Sequence, residues 1–151
     1  MLSGGRGILL FLTLINLFNY LDRYILVALS PAIKRELNLS DTSVGFLTTA
    51  FMFSYFLISP VFGWLGDRKP RLRLMSLGVG AWSLATVFSG LGKNLWQLLV
   101  ARFFVGVGEA AYGSISPSVL RDLFPKEKCG RVFAIFFMAI PVGSALGFLL
   151  G

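Results

Sequence analysis

Arg102 and Glu109 interrupt the run LWQLLVARFFVGVGEAAYGSISPSVLRDL, which is otherwise long and mostly apolar. Seven residues is close to two helical turns, so in a helix both side chains project from one face, about 10 Å apart along the axis. An ionisable residue at membrane depth costs about 2.5–3.5 kcal/mol on insertion scales, and such residues face a protein interior or a water-filled path. An arginine can hold an anionic group and a glutamate can take up or release a proton. The pair therefore suits a machine that moves something across a membrane better than an anchor. Asp22, beside Arg23 in the first apolar block, adds a second acid.

The elements that must position these groups are membrane spans. Hydrophobic residues make up 56% of the 151 and charged ones 14%, and the apolar residues fall into long blocks. A water-soluble domain would break that pattern every few residues. Five blocks have the length needed to cross about 30 Å of hydrocarbon: Gly7–Leu29, Ser43–Leu65, Leu72–Gly92, Leu95–Leu120 and Val132–Gly151. The expected fold class is thus an all-α membrane protein with no soluble domain.

The net charge of +7 is a topology signal rather than a nucleic-acid footprint. Arg6, Arg68, Lys69, Arg71, Arg73, Arg121, Lys126, Lys128 and Arg131 all fall on one side of the spans, against Lys34, Arg35 and Lys93 on the other. That bias marks cytoplasmic loops, placing the N-terminus inside and Gly151 near the outer surface of the cell's inner (plasma) membrane. The segment Arg6 with ILLFLTLINLF imitates a secretory signal, but no small-residue cleavage site follows and the apolar run continues toward Leu29. Cys129 is the only cysteine and histidine is absent, so no internal disulfide, metal framework or cofactor is expected.

The connections GDRKPR, GKN and RDLFPKEKCGR are short, which forces sequential antiparallel neighbours. Pro31, Pro60, Pro117 and Pro141 fall in or near span ends, where neighbours can satisfy the freed carbonyl. A faint echo links Asp22, Ser30-Pro31 and Lys34-Arg35 with Glu109, Ser116-Pro117 and Arg121. Chance and an internal repeat both account for it; a repeat would make the first three spans one unit and the fourth to sixth another. The sixth is missing, and the chain stops on Phe148-Leu-Leu-Gly151 within an apolar helix, so it reads as truncated.

The strongest local motif is Gly63-Trp-Leu-Gly-Asp-Arg-Lys-Pro-Arg71. A small residue at a helix end lets another helix approach, and Asp67 among arginines can accept charge-assisted hydrogen bonds or face another helix's N-terminus. An ordinary cytoplasmic turn explains the same residues equally well. The glycines Gly106, Gly108 and Gly113, and the four-residue series Gly143, Gly147 and Gly151, are read first as close-packing positions. Gly106 and Gly108 could equally line a cavity, but they form no dinucleotide fingerprint. The 15 phenylalanines suit a lipid-facing surface and carry no functional weight. Trp96 and Lys93 read as interface anchors.

The loop segment resembles the signature G-x-L-A-D-R-x-G-R of the major facilitator superfamily through Gly63, Leu65, Asp67, Arg68 and Arg71. Pro70 stands where glycine is usual, and Leu72 where a basic residue is frequent. Asn19-Tyr-Leu-Asp-Arg23, Val105-Gly-Val-Gly-Glu-Ala-Ala-Tyr112 with Ser116-Pro117, and Ala139-Ile-Pro-Val-Gly-Ser-Ala-Leu-Gly147 resemble the Spinster branch, in order along essentially the whole chain. The resemblance implies a twelve-helix fold in two six-helix halves, of which this chain is the incomplete N-terminal half. It implies export of lysophospholipids or sphingosine phosphate, with protons as the coupling partner in bacterial relatives. By the same comparison Asp22, Arg102 and Glu109 would serve proton coupling and substrate response. Gly63, Asp67, Arg68 and Arg71 would form a cytoplasmic gating loop. The structural alternative for the charges is a static buried ion pair locking two helices.

Three readings follow. The first is an alternating-access carrier for a lysolipid or sphingolipid-like amphiphile, in contact with membrane lipids and dependent on a missing C-terminal half. The second is a facilitator for small organic anions or drugs. The third is a non-transporting membrane fragment that binds partner helices. An enzyme is least supported, since no nucleophile–base pair or metal-ligand cluster occurs.

Overall fold

The computed structural model describes residues 2–151, with side chains from Gly4 onward. Five helices follow one another: α1 (Leu2–Glu36), α2 (Asp41–Gly66), α3 (Arg71–Gly90), α4 (Leu95–Leu123) and α5 (Lys126–Leu150). No strand occurs among the described residues, and all five helices are long and apolar enough to cross a membrane. The fold is all-α.

The helices run beyond the apolar blocks. Hydropathy marks the depth of hydrocarbon, whereas a helix ends where its backbone hydrogen bonds end. Thus α1 continues past Leu29 through Pro31 to Glu36. The largest correction is the expected loop RDLFPKEKCGR, which shrinks to Phe124-Pro125 because α4 reaches Leu123 and α5 starts at Lys126. Pro125 has the φ of a helix start, and its carbonyl accepts from the Lys128 N–H at 2.9 Å. The charged residues that broke the hydropathy signal are good helix formers once a proline has begun the turn.

Local polar groups fix the other ends. Asn38 takes φ 50°, a left-handed conformation that asparagine tolerates, and Lys34 pairs with Asp41 across that turn. Ser40 caps α2 by accepting from the Ser43 N–H at 3.1 Å. Asn94 accepts from the Gln97 N–H at 3.0 Å, and Gln97 accepts in return from the Lys93 N–H at 2.8 Å.

Two compact units result: α1 up to Ser30 together with Ser116–Gly151, and Pro31–Ile115. In the first, α5 lies on α1 through its glycines. A methyl group at Gly143 would sit 2.7 Å from the Leu17 carbonyl oxygen, and one at Gly147 would sit 2.9 Å from that of Leu21. Asn16 donates to the Phe136 carbonyl at 3.1 Å, and the Tyr24 and Phe148 rings are 5.3 Å apart. In the second unit, α4 packs on α2 and on α3. Gly108 and Gly78 meet backbone to backbone, so that a methyl on Gly108 would stand 2.6 Å from both the Gly78 oxygen and the Trp82 nitrogen.

That crossing gives a test. Gly108→Ala should destabilise the purified full-length protein by about 1–3 kcal/mol, because neither colliding atom can rotate away. Gly80→Ala, where nothing lies within 4 Å, should leave the thermal midpoint in detergent unchanged or slightly raised. Equal midpoints for the two variants would contradict the backbone contact.

Candidate functional site

α4 is the most enclosed helix: 61% of its most apolar window is buried, against 17–28% in the other four. Its buried side carries both charges, with Arg102 6% exposed and Glu109 2% exposed. They share a face about two turns apart, and the intervening glycine lets α2 approach. A methyl on Gly106 would overlap Ser54 Oγ and lie 2.5 Å from the Phe51 carbonyl oxygen. Four residues beyond Glu109, Gly113 leaves room for the Tyr55 hydroxyl, 2.6 Å from where a methyl would sit. Ser114 donates to the Ser59 carbonyl at 3.1 Å, closing the same α2–α4 seam.

Phe51 lies beneath Arg102, with the guanidinium carbon 5.3 Å from the ring centroid. On the α3 side, Trp82 and Tyr112 pack edge to face at 6.0 Å. The arrangement holds a permanent cation and a titratable acid on one rigid, protein-covered face. Asp22 is half-buried on α1 within the first unit, and its neighbour Arg23 lies 4.9 Å over the Tyr20 ring.

Phe51, Ser54 and Tyr55 were invisible to sequence reasoning, because nothing separates them from other apolar and hydroxyl residues of a span. An apolar groove of about 890 Å³ also runs between α3 and α4, lined among others by Ala81, Leu84, Phe88, Trp96 and Phe104. It contains no charged side chain, and neither Arg102 nor Glu109 lines it, so the chemistry lies elsewhere.

The α2–α3 loop has its own geometry. Asp67 ends α2, and its carboxylate lies 3.6 Å from Arg71. Arg71 Nε donates to the Gly66 carbonyl at 3.0 Å, while Arg68 stacks on Trp64 at 4.2 Å. Of the two glycines in this segment, Gly63 has nothing within 4 Å of a methyl position among the described residues. The close approach is at Gly66, where Ile115 Cγ1 lies 3.0 Å from a methyl position, because the helix turns that residue toward α4.

The family model of the Major Facilitator Superfamily matches residues 12–151. The chain belongs to that superfamily. Within it, the similarities are to Spinster proteins. The human protein spinster homolog 1 is 45% identical over 99% of this chain and 29% of its own length. The Drosophila melanogaster protein spinster is 38% identical over 93% of this chain and 23% of its own. A sphingosine-1-phosphate transporter of Danio rerio is 39% identical over 90% and 27%.

Two crystal structures of a bacterial homologue of the human lysosomal transporter Spinster, both inward-facing, superpose on this facilitator chain. The occupied form gives a TM-score of 0.89 at 32% identity, covering 94% of this chain and 31% of that one. The unoccupied form gives 0.90 at 32%, covering 95% and 30%. The facilitator chain thus spans less than a third of the relatives it matches. It is a multi-pass membrane protein whose relatives are transporters rather than enzymes.

The loop contacts predict unequal roles for the two partners. Asp67→Asn removes only an exposed ion pair and should cost under about 1 kcal/mol. Arg71→Ala also orphans the Gly66 carbonyl at the end of α2 and should lower the thermal midpoint further. Identical midpoints would show that the Nε bond contributes nothing.

Proposed function

We propose that the full-length protein is a secondary carrier working by alternating access, in which helices beyond this chain complete the cavity. The observation that carries this reading is the buried Arg102 and Glu109 on one face of α4 in a Spinster-like facilitator. Charges at that depth suit a substrate or proton path. Glu109 is the proton-titrating group and Arg102 the site for an anionic head group, with Asp22 as second acid. The cargo is a lysophospholipid or sphingolipid-like amphiphile, a reading supported by the sphingosine-1-phosphate transporter among the relatives.

The excess of basic residues around the α2–α3 and α4–α5 connections supports a cytoplasmic N-terminus. Asp67, Arg68 and Arg71, with Gly63, form a cytoplasmic latch that stabilises one state of the cycle. We place the carrier in the cell's inner (plasma) membrane. Gly106, Gly108, Gly143 and Gly147 serve as the packing positions that keep the half rigid while it rocks.

The test uses the full-length protein in proteoliposomes with an imposed pH gradient and a labelled lysophospholipid. Wild type should move the lipid in proportion to the gradient. Glu109→Gln should abolish the gradient-driven component while leaving a folded protein. Movement unchanged by the substitution would remove Glu109 from the mechanism. No movement by folded wild type would overturn the lysolipid cargo in favour of small organic anions.

A further inference from the structure

Phe51 is 1% exposed and belongs to a small buried cluster with Ala85 and Val105, drawn from α2, α3 and α4. Tyr55, one turn along α2, packs against it, with ring centroids 6.0 Å apart. The ring is therefore fixed by its neighbours, and Arg102 lies over it. Gly106 makes this contact possible, since it brings the α2 backbone at Phe51 against the turn of α4 that follows Arg102.

A guanidinium offers two different surfaces. Its edge carries five N–H donors, and its face carries none. A carboxylate or phosphate takes the edge. An aromatic ring under the face attracts the cation through its quadrupole without occupying a single donor. An aliphatic side chain of the same bulk would desolvate the face and return no such attraction.

We propose that Phe51 is a positioning residue for Arg102, holding the guanidinium over its ring so that the N–H donors directed away from the ring can pass between a carboxylate and an anionic substrate group. The proposal rests on the carrier reading above for its substrate step, but the positioning itself can be measured without substrate. It requires that the ring, rather than the volume, be the property that counts at position 51.

The full-length carrier is purified in detergent as wild type, Phe51→Tyr, Phe51→Leu and Phe51→Met, the last in case the leucine variant does not fold. Phenylglyoxal modification is followed at Arg102 by mass spectrometry. Release of a desolvated cation from its ring should raise the rate by about 5- to 30-fold in the leucine and methionine variants. The tyrosine variant should keep the wild-type rate, and Arg68, which stacks on Trp64, should react equally in all four.

In proteoliposomes with labelled lysophosphatidylglycerol, Phe51→Leu should raise KM by a similar factor at unchanged maximal rate, and Phe51→Tyr should restore it. Equal modification rates in the wild-type and aliphatic variants would overturn the proposal. So would a tyrosine variant as reactive as the leucine one. A wild type that modifies as expected yet moves no lysolipid would sink the cargo assignment and leave the positioning role standing.

Discussion

A guanidinium and a carboxyl group on a membrane-spanning helix have to be covered by protein, because hydrocarbon offers them neither water nor hydrogen-bond partners. Much of the Pro31–Ile115 unit follows from that requirement. Covering a helix face closely needs neighbours whose backbones can come near, and α4 supplies glycines between its two charges and just beyond the second. Gly106 admits α2, Gly108 admits α3, and Gly113 admits the Tyr55 hydroxyl. With lipid on the outside as apolar as leucine, packing of this kind rather than hydrophobic exclusion holds the helices together. The charges thus dictate both which helix is innermost and where its small residues fall.

The same logic governs the lesser polar groups. Thr13, Ser30, Thr49, Ser59, Ser76 and Ser144 each donate to the carbonyl four residues earlier, so no hydroxyl among them is left to the lipid. Ser30 and Ser59 also precede prolines, which free the carbonyls of Val27 and Phe56. Their bonds to Leu26 and Tyr55 reinforce the turn directly before each gap. The Ser-Pro pair at Ser59-Pro60 has no place in the echo between Ser30-Pro31 and Ser116-Pro117. Among the described residues, moreover, the buried Ser116 hydroxyl has no hydrogen-bond partner, unlike that of Ser30. The Ser-Pro pair is therefore better read as a local helix device than as the mark of a repeat.

What could be read in the sequence was whatever broke a pattern. Arg102 and Glu109 were legible because charges violate an apolar run, and the α5 glycines because they recur every fourth residue. Helix ends were not, since Lys126-Glu127-Lys128 lowers hydropathy without disturbing a single backbone hydrogen bond. Gly63 and Gly66 differ only in the direction the helix turns them, which no local sequence feature records. Gly78 stands in α3 without a repeat to flag it, and its importance comes wholly from Gly108 on another helix. Phe51 is one phenylalanine among 15, and only the arginine above it gives it meaning.

The helices differ in length, and that has a consequence for the lipid. α3 has 20 residues, against 26 in α2 and 29 in α4. Its first turn carries Arg71 and Arg73, which leaves an apolar reach of about 26 Å. Hydrocarbon thickness runs from about 27 Å in thin membranes to about 33 Å in sterol-rich ones. Anchored to α4 at the Gly78–Gly108 crossing, α3 cannot slide along its neighbour to share the mismatch, and it exposes Leu77, Leu84, Val87 and Phe88 along its outer flank. A bilayer thicker than that reach is accommodated beside this helix by local thinning or by snorkelling of Arg71 and Arg73, so the elastic state of the surrounding lipid enters the energetics of the protein.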